Sequence, residues 1–173
     1  QLSRELIWVN RVAASSSFGK EKLIYYLGSL DNWLDQFSNT SRFINQEDIN
    51  RNINYRYQAL AANLRGFPQN IRRGSNFAVV NSEVRFPVFS YFIRRPIRSQ
   101  FIKNFQIIGF ADAGMAWDGL NPYSDENTIT KEIYDDGPLR VVVFKDSYPI
   151  VGGYGFGTRT SVLGYFLRAD WAW

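Results

Sequence analysis

Four long stretches of this chain alternate between two kinds of side chain with a period of two, and few folds accept that pattern. In NFAVVNSEVRFP (Asn76–Pro87), Asn81, Glu83 and Arg85 stand at odd positions, while Ala78, Val80, Ser82, Val84 and Phe86 stand at even ones. In NFQIIGFADAGMAW (Asn104–Trp117), Asn104, Gln106, Asp112 and Gly114 oppose Phe105, Ile107, Ala111, Ala113, Met115 and Trp117. GYGFGTRTSV (Gly153–Val162) sets Gly153, Gly155, Gly157 and Arg159 against Tyr154, Phe156 and Val162. GYFLRADWAW (Gly164–Trp173) sets Tyr165, Leu167, Ala169, Trp171 and Trp173 against Arg168 and Asp170. Successive strand residues point to opposite sides, so each stretch reads as a strand between two unlike environments.

These strands are long. Ordinary strands run about 5–6 residues, whereas a tilted strand needs about 9–11 to cross a bilayer. Phe86, Phe105, Trp117 and Trp173 sit at or near the ends of the apolar faces, where the aromatic girdles of an outer-membrane barrel lie. A soluble sandwich is the alternative, with the apolar face packed on a second sheet and the polar face in water.

Hydrophobic residues make up 45% of the 173 and aromatics 17%, yet the mean hydropathy is −0.28. The apolar residues are interleaved, not massed, and no run approaches the roughly 18 that suggest a membrane helix. The opening QLS leads into RELIWVNRV without a signal-peptide pattern, so the chain is read as processed, excerpted or cytosolic. Cysteine and histidine are absent, which removes disulfides, thiolate chemistry, histidine-based triads and the usual zinc sites. No cofactor or metal is expected. The net charge is +4, mostly from arginine, but the cations are spread singly apart from Arg72-Arg73 and RRPIR (Arg94–Arg98). That spread argues against a nucleic-acid surface.

The first half is less regular. RELIWVNRVAASS predicts a strand with Leu6, Trp8, Val12 and Ala14 on one face, and LIYYLG is read as the start of the next. From Ser29 to Ser75 the chain is polar, rich in asparagine and without sustained period, which is long for a connection and suggests function or disorder. A second long loop, Asp118 to Pro149, is acidic at SDE and YDD and contains a candidate hairpin strand, LRVVVF.

Within the first loop, NLRGFPQN places Arg65 between Leu64 and Gly66-Phe67. A surface loop gains nothing from Leu64 and Phe67, and a core needs a partner for Arg65. If the polar faces line a barrel interior, Glu83 and Asp112 project into it from consecutive strands, and one guanidinium can serve both through its five fixed donors. The competing reading is an exposed arginine in a turn, with both acids solvated.

LRGF (Leu64–Phe67), NSEVRFPVF (Asn81–Phe89), FADAGMAW (Phe110–Trp117) and GYGFGTR (Gly153–Arg159), in this order, resemble the C-terminal barrel of the BamA and two-partner-secretion transporter superfamily, the bacterial surface-antigen family. The resemblance covers essentially the whole chain. It implies an all-β, antiparallel transmembrane barrel, of which about six or seven strands of sixteen are present, with loop 29–75 folded into the lumen and loop 118–149 extracellular. It implies that Arg65, in the family's [VL]-R-G-[FY] tetrad, meets Asp112 of the F-x-D-x-G motif and Glu83 of the E-[VL]-R-F-P strand. Gly114, Gly155, Gly157 and Arg159 would then support the lumen wall, the glycines clearing room for the loop.

By the same resemblance the protein is non-enzymatic and sits in the outer membrane of a Gram-negative bacterium. It inserts or translocates proteins, or lipids, and its partners are membrane lipids, client or partner membrane proteins and the remaining strands of the barrel. YYLGSLDNW and the ending GYFLRADWAW resemble a subgroup whose barrel follows a soluble β-propeller. Two features depart from the family. The gap between YYLGS and LRGF contains an insertion, roughly Asp31 to Asn54, and the strand count is too low to close a barrel. With Arg65 on the exterior, successive strands bring Trp173 to the exterior too, so a final strand and the first several are absent and the chain is read as a piece of a longer protein.

Three rivals remain: a barrel serving as membrane anchor or channel for a soluble domain or complex, a barrel-embedded hydrolase restricted to acid chemistry at Asp112 and Glu83, and a soluble β-sandwich. GGYGFG fails as a dinucleotide loop because its glycines are spaced by two and lead into a strand. RRPIR is read as a periplasmic turn with cationic edges, with lipid-headgroup contact as the alternative. Arg159 and Asp170 either extend the interior charge network or are solvated wall residues.

Overall fold

The computed structural model describes residues 6–29, 57–68, 70–93, 95–124, 127, 131–136, 139–144 and 148–173. Its strands are β1 (Ile7–Ser16), β2 (Ile24–Gly28), β3 (Gln58–Asn63), β4 (Arg72–Gly74), β5 (Asn76–Phe86), β6 (Gln106–Trp117), β7 (Lys131–Asp136), β8 (Leu139–Phe144), β9 (Ile150–Val162) and β10 (Tyr165–Ala172). Two short helices, α1 (Val88–Phe92) and α2 (Gln100–Asn104), lie between β5 and β6. The chain is all-β. Its main sheet is antiparallel, in the order β1-β5-β6-β9-β10, and is not closed. The alternating stretches of the sequence are the strands of this sheet, and β1, β5, β6 and β9 run for 10, 11, 12 and 13 residues.

Register keeps like faces together. Trp8 pairs with Val84 and Val12 with Val80; Val80 in turn pairs with Ala113. A one-residue slip would exchange the faces of a whole strand, so the alternation excludes every odd shift of this register. Leu163 and Gly164 close the β9–β10 hairpin with positive φ values of 51° and 85°, the twist that suits a two-residue hairpin turn.

LIYYLG does not begin a wall strand. β2 is instead the centre of a small separate sheet, parallel to β3 and antiparallel to β4. The segment is too short to extend the main sheet, and both its edges are taken by the chain that follows. The described part of loop 29–75 therefore carries β3 and β4, and it packs as an insert together with β2. The expected insertion at Asp31 to Asn54 lies outside the described residues. In loop 118–149, LRVVVF forms β8 and pairs with β7, which contains YDD.

The insert covers one face of the main sheet. Leu27, Ala62, Leu64 and Ile71 from the insert bury against Phe77, Val79 and Ala116 of β5 and β6. The covered face is therefore mixed, apolar where the insert packs and charged farther along, and not the uniformly polar wall that alternation suggests.

The opposite face is apolar and bare along most of its length. Trp8, Val12 and Tyr154 on it are 69%, 74% and 67% exposed, and Val80, Ile107, Phe156 and Trp171 are exposed as well. Phe156 stacks on Trp171 with ring centroids 5.5 Å apart. A sandwich would place its second layer here. Among the described residues only the two short helices touch this side, at one end.

Leu64 is fully buried at the centre of the insert's core. Leu64→Ala is expected to destabilise the insert by about 2–5 kcal/mol. Limited proteolysis should show faster cleavage near Gly66 while amide exchange in β5 and β6 stays slow.

Candidate functional site

Alternation places Glu83 and Asp112 on the covered face of adjacent strands. Glu83 pairs across the sheet with Phe110, and Asp112 lies two residues farther along β6, so the acids are diagonal neighbours. Neither carboxylate can stay charged there without compensation, because the insert removes water from both. Glu83 is 7% exposed and Asp112 2%.

The compensation comes from Arg65. Its Nε donates to Asp112 Oδ2 at 2.6 Å and its Nη2 to Oδ1 at 2.8 Å, a two-point grip on one carboxylate. Its Nη1 donates to Glu83 Oε2 at 2.9 Å, and its backbone N–H reaches Asp112 Oδ2 at 3.3 Å. The guanidinium carbon sits 3.7 Å from the centroid of the Phe110 ring. Charge-assisted, two-point hydrogen bonds of this kind are both strong and directional, and an aromatic face adds attraction for the cation.

Each letter of LRGF has its own task. Leu64 fills the core, and its N–H donates to the Gly28 carbonyl at 3.1 Å. Gly66 has φ +87°, and a Cβ there would come within 2.9 Å of the Ala172 side chain. Only glycine meets both conditions. Phe67 packs against the insert's core and against Gly153, where an added Cβ would approach its ring to 3.0 Å. The Phe67 carbonyl accepts from the Ser29 N–H at 3.1 Å. The loop is thus held by its backbone as well as by its arginine.

The expected supporting residues divide. Gly114 clears room for the insert, since a Cβ there would press on Val79, Leu27 and Leu64. Gly155 clears room instead for the Phe110 ring and the Trp171 carbonyl, and Gly157 for the Asp170 carboxylate. Those two glycines act on the loop only through the groups that meet Arg65. Arg159 Nη2 donates to Glu83 Oε2 at 2.8 Å, on the same oxygen that Arg65 uses.

Arg85, Phe110 and Arg168 are partners that sequence reasoning did not single out. Arg85 Nε donates to Glu83 Oε1 at 2.6 Å; it lies two residues from Glu83, so period two already puts both on one face. Asp170 lies 3.9 Å from Arg65 Nη1 and accepts from Arg168 Nε at 2.6 Å. Arg159 and Asp170 therefore belong to one network with Arg65. Four guanidinium groups and three carboxylates come together from the insert loop and four strands, β5, β6, β9 and β10. A recess of about 200 Å³ opens beside it, lined in part by Arg11, Arg85 and Arg168.

Chemically the network is a brace. The oxygens of Glu83 and Asp112 are occupied by guanidinium donors, which leaves neither acid placed to pass a proton to a substrate. Among the described residues no three metal-ligating side chains gather. No family model, curated protein or solved structure matches the chain.

Breaking one member of a buried ion pair typically costs about 3–5 kcal/mol. Arg65→Ala should therefore release the tip of the insert, read as rapid protease cutting at Gly66–Phe67 while the main sheet keeps its strand signal. Arg65→Lys should be nearly as damaging, because one ammonium cannot grip Asp112 at two points and reach Glu83 as well.

Gly155→Val should disturb the same site without touching a charge. Its side chain would meet the Trp171 carbonyl and the Phe110 ring, loosening the β9–β10 pairing as well as displacing Phe110 from beneath Arg65, with an overpacking cost of at least about 1–3 kcal/mol. Arg65 should become more accessible to an arginine-directed dicarbonyl reagent in Gly155→Val than in the wild type.

Proposed function

We propose that this chain is the C-terminal part of a BamA-like outer-membrane β-barrel in a Gram-negative bacterium, acting in the insertion or translocation of proteins or lipids. The observation that carries the reading is the position of Arg65. The LRGF arginine lies on a folded-in segment and bridges the aspartate of FADAG to the glutamate of SEVRFP. These are the residues whose meeting the family resemblance implies, and the chemistry of the contact follows from their charges alone.

The bare apolar face supports the same reading. An aqueous protein gains by covering such a surface, at roughly 25 cal/mol per Å² of apolar area. In lipid that incentive disappears and the covered face becomes the interior. In this reading the unpaired edges of β1 and β10 continue into further strands, because a sheet edge cannot face hydrocarbon.

The mechanism is mechanical, not chemical. The Arg65 brace fixes the insert against β5, β6 and β10, holding this side of the barrel rigid. Opening is left to a seam elsewhere in the barrel, where client strands pair with a free edge. Bracing one wall confines movement to the other.

Two experiments test the proposal. Val80→Arg or Ala111→Arg on the bare face should weaken membrane insertion by about 2–4 kcal/mol if those positions lie near the bilayer midplane; wild-type stability in vesicles would refute the membrane assignment. Arg65→Ala in cells should leave the barrel in the outer membrane but reduce the amount of newly assembled or secreted client protein. Unchanged client levels would favour a barrel that only anchors or conducts.

A further inference from the structure

The connection between β5 and β6 is built differently from the two-residue turn between β9 and β10. It holds α1 and α2, lies at the end of the sheet opposite the one where β4 leads into β5, and rests on the bare face. Thr160 shows which side it takes: it alternates with Phe156 toward the bare face, is buried, and donates through Oγ1 to the Phe101 carbonyl at 3.0 Å. Ser90 Oγ donates to the Lys103 carbonyl at 3.1 Å, tying the two helices together. Phe86 lies 5.1 Å from Tyr91, and Phe105 lies 5.5 Å from Phe89 and 6.2 Å from Phe101, centroid to centroid.

This hairpin does not bury what it carries. Neither helix has a buried residue, and Tyr91, Phe92 and Phe101 are 57%, 71% and 43% exposed. From Phe86 to Phe105 the sequence has six aromatics, four cations (Arg94, Arg95, Arg98 and Lys103) and no acidic residue. Arg95, Arg98 and Lys103 are exposed. The helices are too short to cross a bilayer, and exposed rings at the rim of an apolar wall would associate in water.

We infer that the α1–α2 hairpin is an interfacial anchor, seated among the headgroups of an anionic phospholipid surface with its rings in the acyl boundary and its cations on lipid phosphates. The inference rests on the bare face being the lipid face. Three features select lipid over a protein occupant. The hairpin continues the apolar wall without a break. Its charge is of one sign and complementary to anionic headgroups. Its mixture of aromatic and basic side chains is the composition found where protein meets the membrane interface. Long basic side chains there can lay their stems on the apolar region and keep their charges among the phosphates.

The test uses the full-length protein, cysteine-free apart from one nitroxide-labelled site, in phosphatidylcholine vesicles with or without phosphatidylglycerol. One label is placed at Ser99→Cys, an exposed position that makes no side-chain cap hydrogen bond. The other is at Ala111→Cys on the bare face of β6. The Ala111 label should collide with oxygen but not with a water-soluble nickel complex, and the Ser99 label should report headgroup depth. Contact of the Ser99 label with phosphatidylglycerol should exceed contact with phosphatidylcholine several-fold, falling to near unity in Arg95→Gln/Arg98→Gln/Lys103→Gln.

Free access of the nickel complex to Ser99, with Ala111 still in lipid, would overturn the inference and leave the barrel reading intact. Shielding of Ser99 from both collision agents would overturn it in favour of a protein occupant. An unchanged lipid preference in the triple variant would remove its electrostatic basis. Nickel access at Ala111 would sink the barrel reading and the anchor together.

Discussion

One cation sits between two acids in a place from which water has been removed, and much of the chain's arrangement depends on it. Asp112 would be an isolated buried charge under the insert without Arg65, and Glu83 is shared by Arg65, Arg85 and Arg159. The insert, in turn, could not lie on the charged part of the sheet without neutralising it. The requirement is mutual. An isolated buried ion is costly, whereas a paired and fully hydrogen-bonded one roughly breaks even. The arrangement therefore contributes less to net stability than to specificity, because this placement of the loop lets Arg65 meet both Asp112 and Glu83 at once. Phe110 below the guanidinium, and Gly155 below Phe110, extend that specificity one layer further.

The architecture inverts the usual order of layers. A soluble two-layer protein buries its most apolar face against its second layer. Here the insert covers the mixed face, meeting Phe77 and Val79 at one end and the charge network at the other, while Trp8, Val12 and Tyr154 remain uncovered. Hydrophobic burial alone would not choose this arrangement in water. Under the proposed membrane reading, in which lipid is the solvent on the bare side, the choice needs no further driving force. The β5–β6 hairpin fits the same logic, since it adds exposed rings and cations at the rim of that surface.

Much of the site was legible before the fold was known, for reasons that can be named. Period two places Asp112 and Gly114 on one face, and Glu83 with Arg85 on another strand's corresponding face, whatever the tertiary structure. LRGF is informative because a leucine and a phenylalanine beside an arginine make no sense on an exposed loop. LIYYLG misled because a short run of apolar and aromatic residues looks the same in a wall strand and in the centre of a small inserted sheet. Phe110 went unnoticed because its role is to lie beneath a group from a distant part of the chain. The apolar residues Phe77 and Val79 on the inner face were hidden by the polar residues that follow them on the same face of the strand.

By itself the sequence determined the long strands of the main sheet and which residues share a face of each, since side-chain alternation is local and a slip of one residue reverses it. It also determined the charges available to the site. Tertiary structure decided which face would be covered, where the segment before Ser75 would fold, and that Arg65 would meet both acids at once. Arg65 and Asp112 alone lie 47 positions apart, and no local pattern specifies a pairing over that distance.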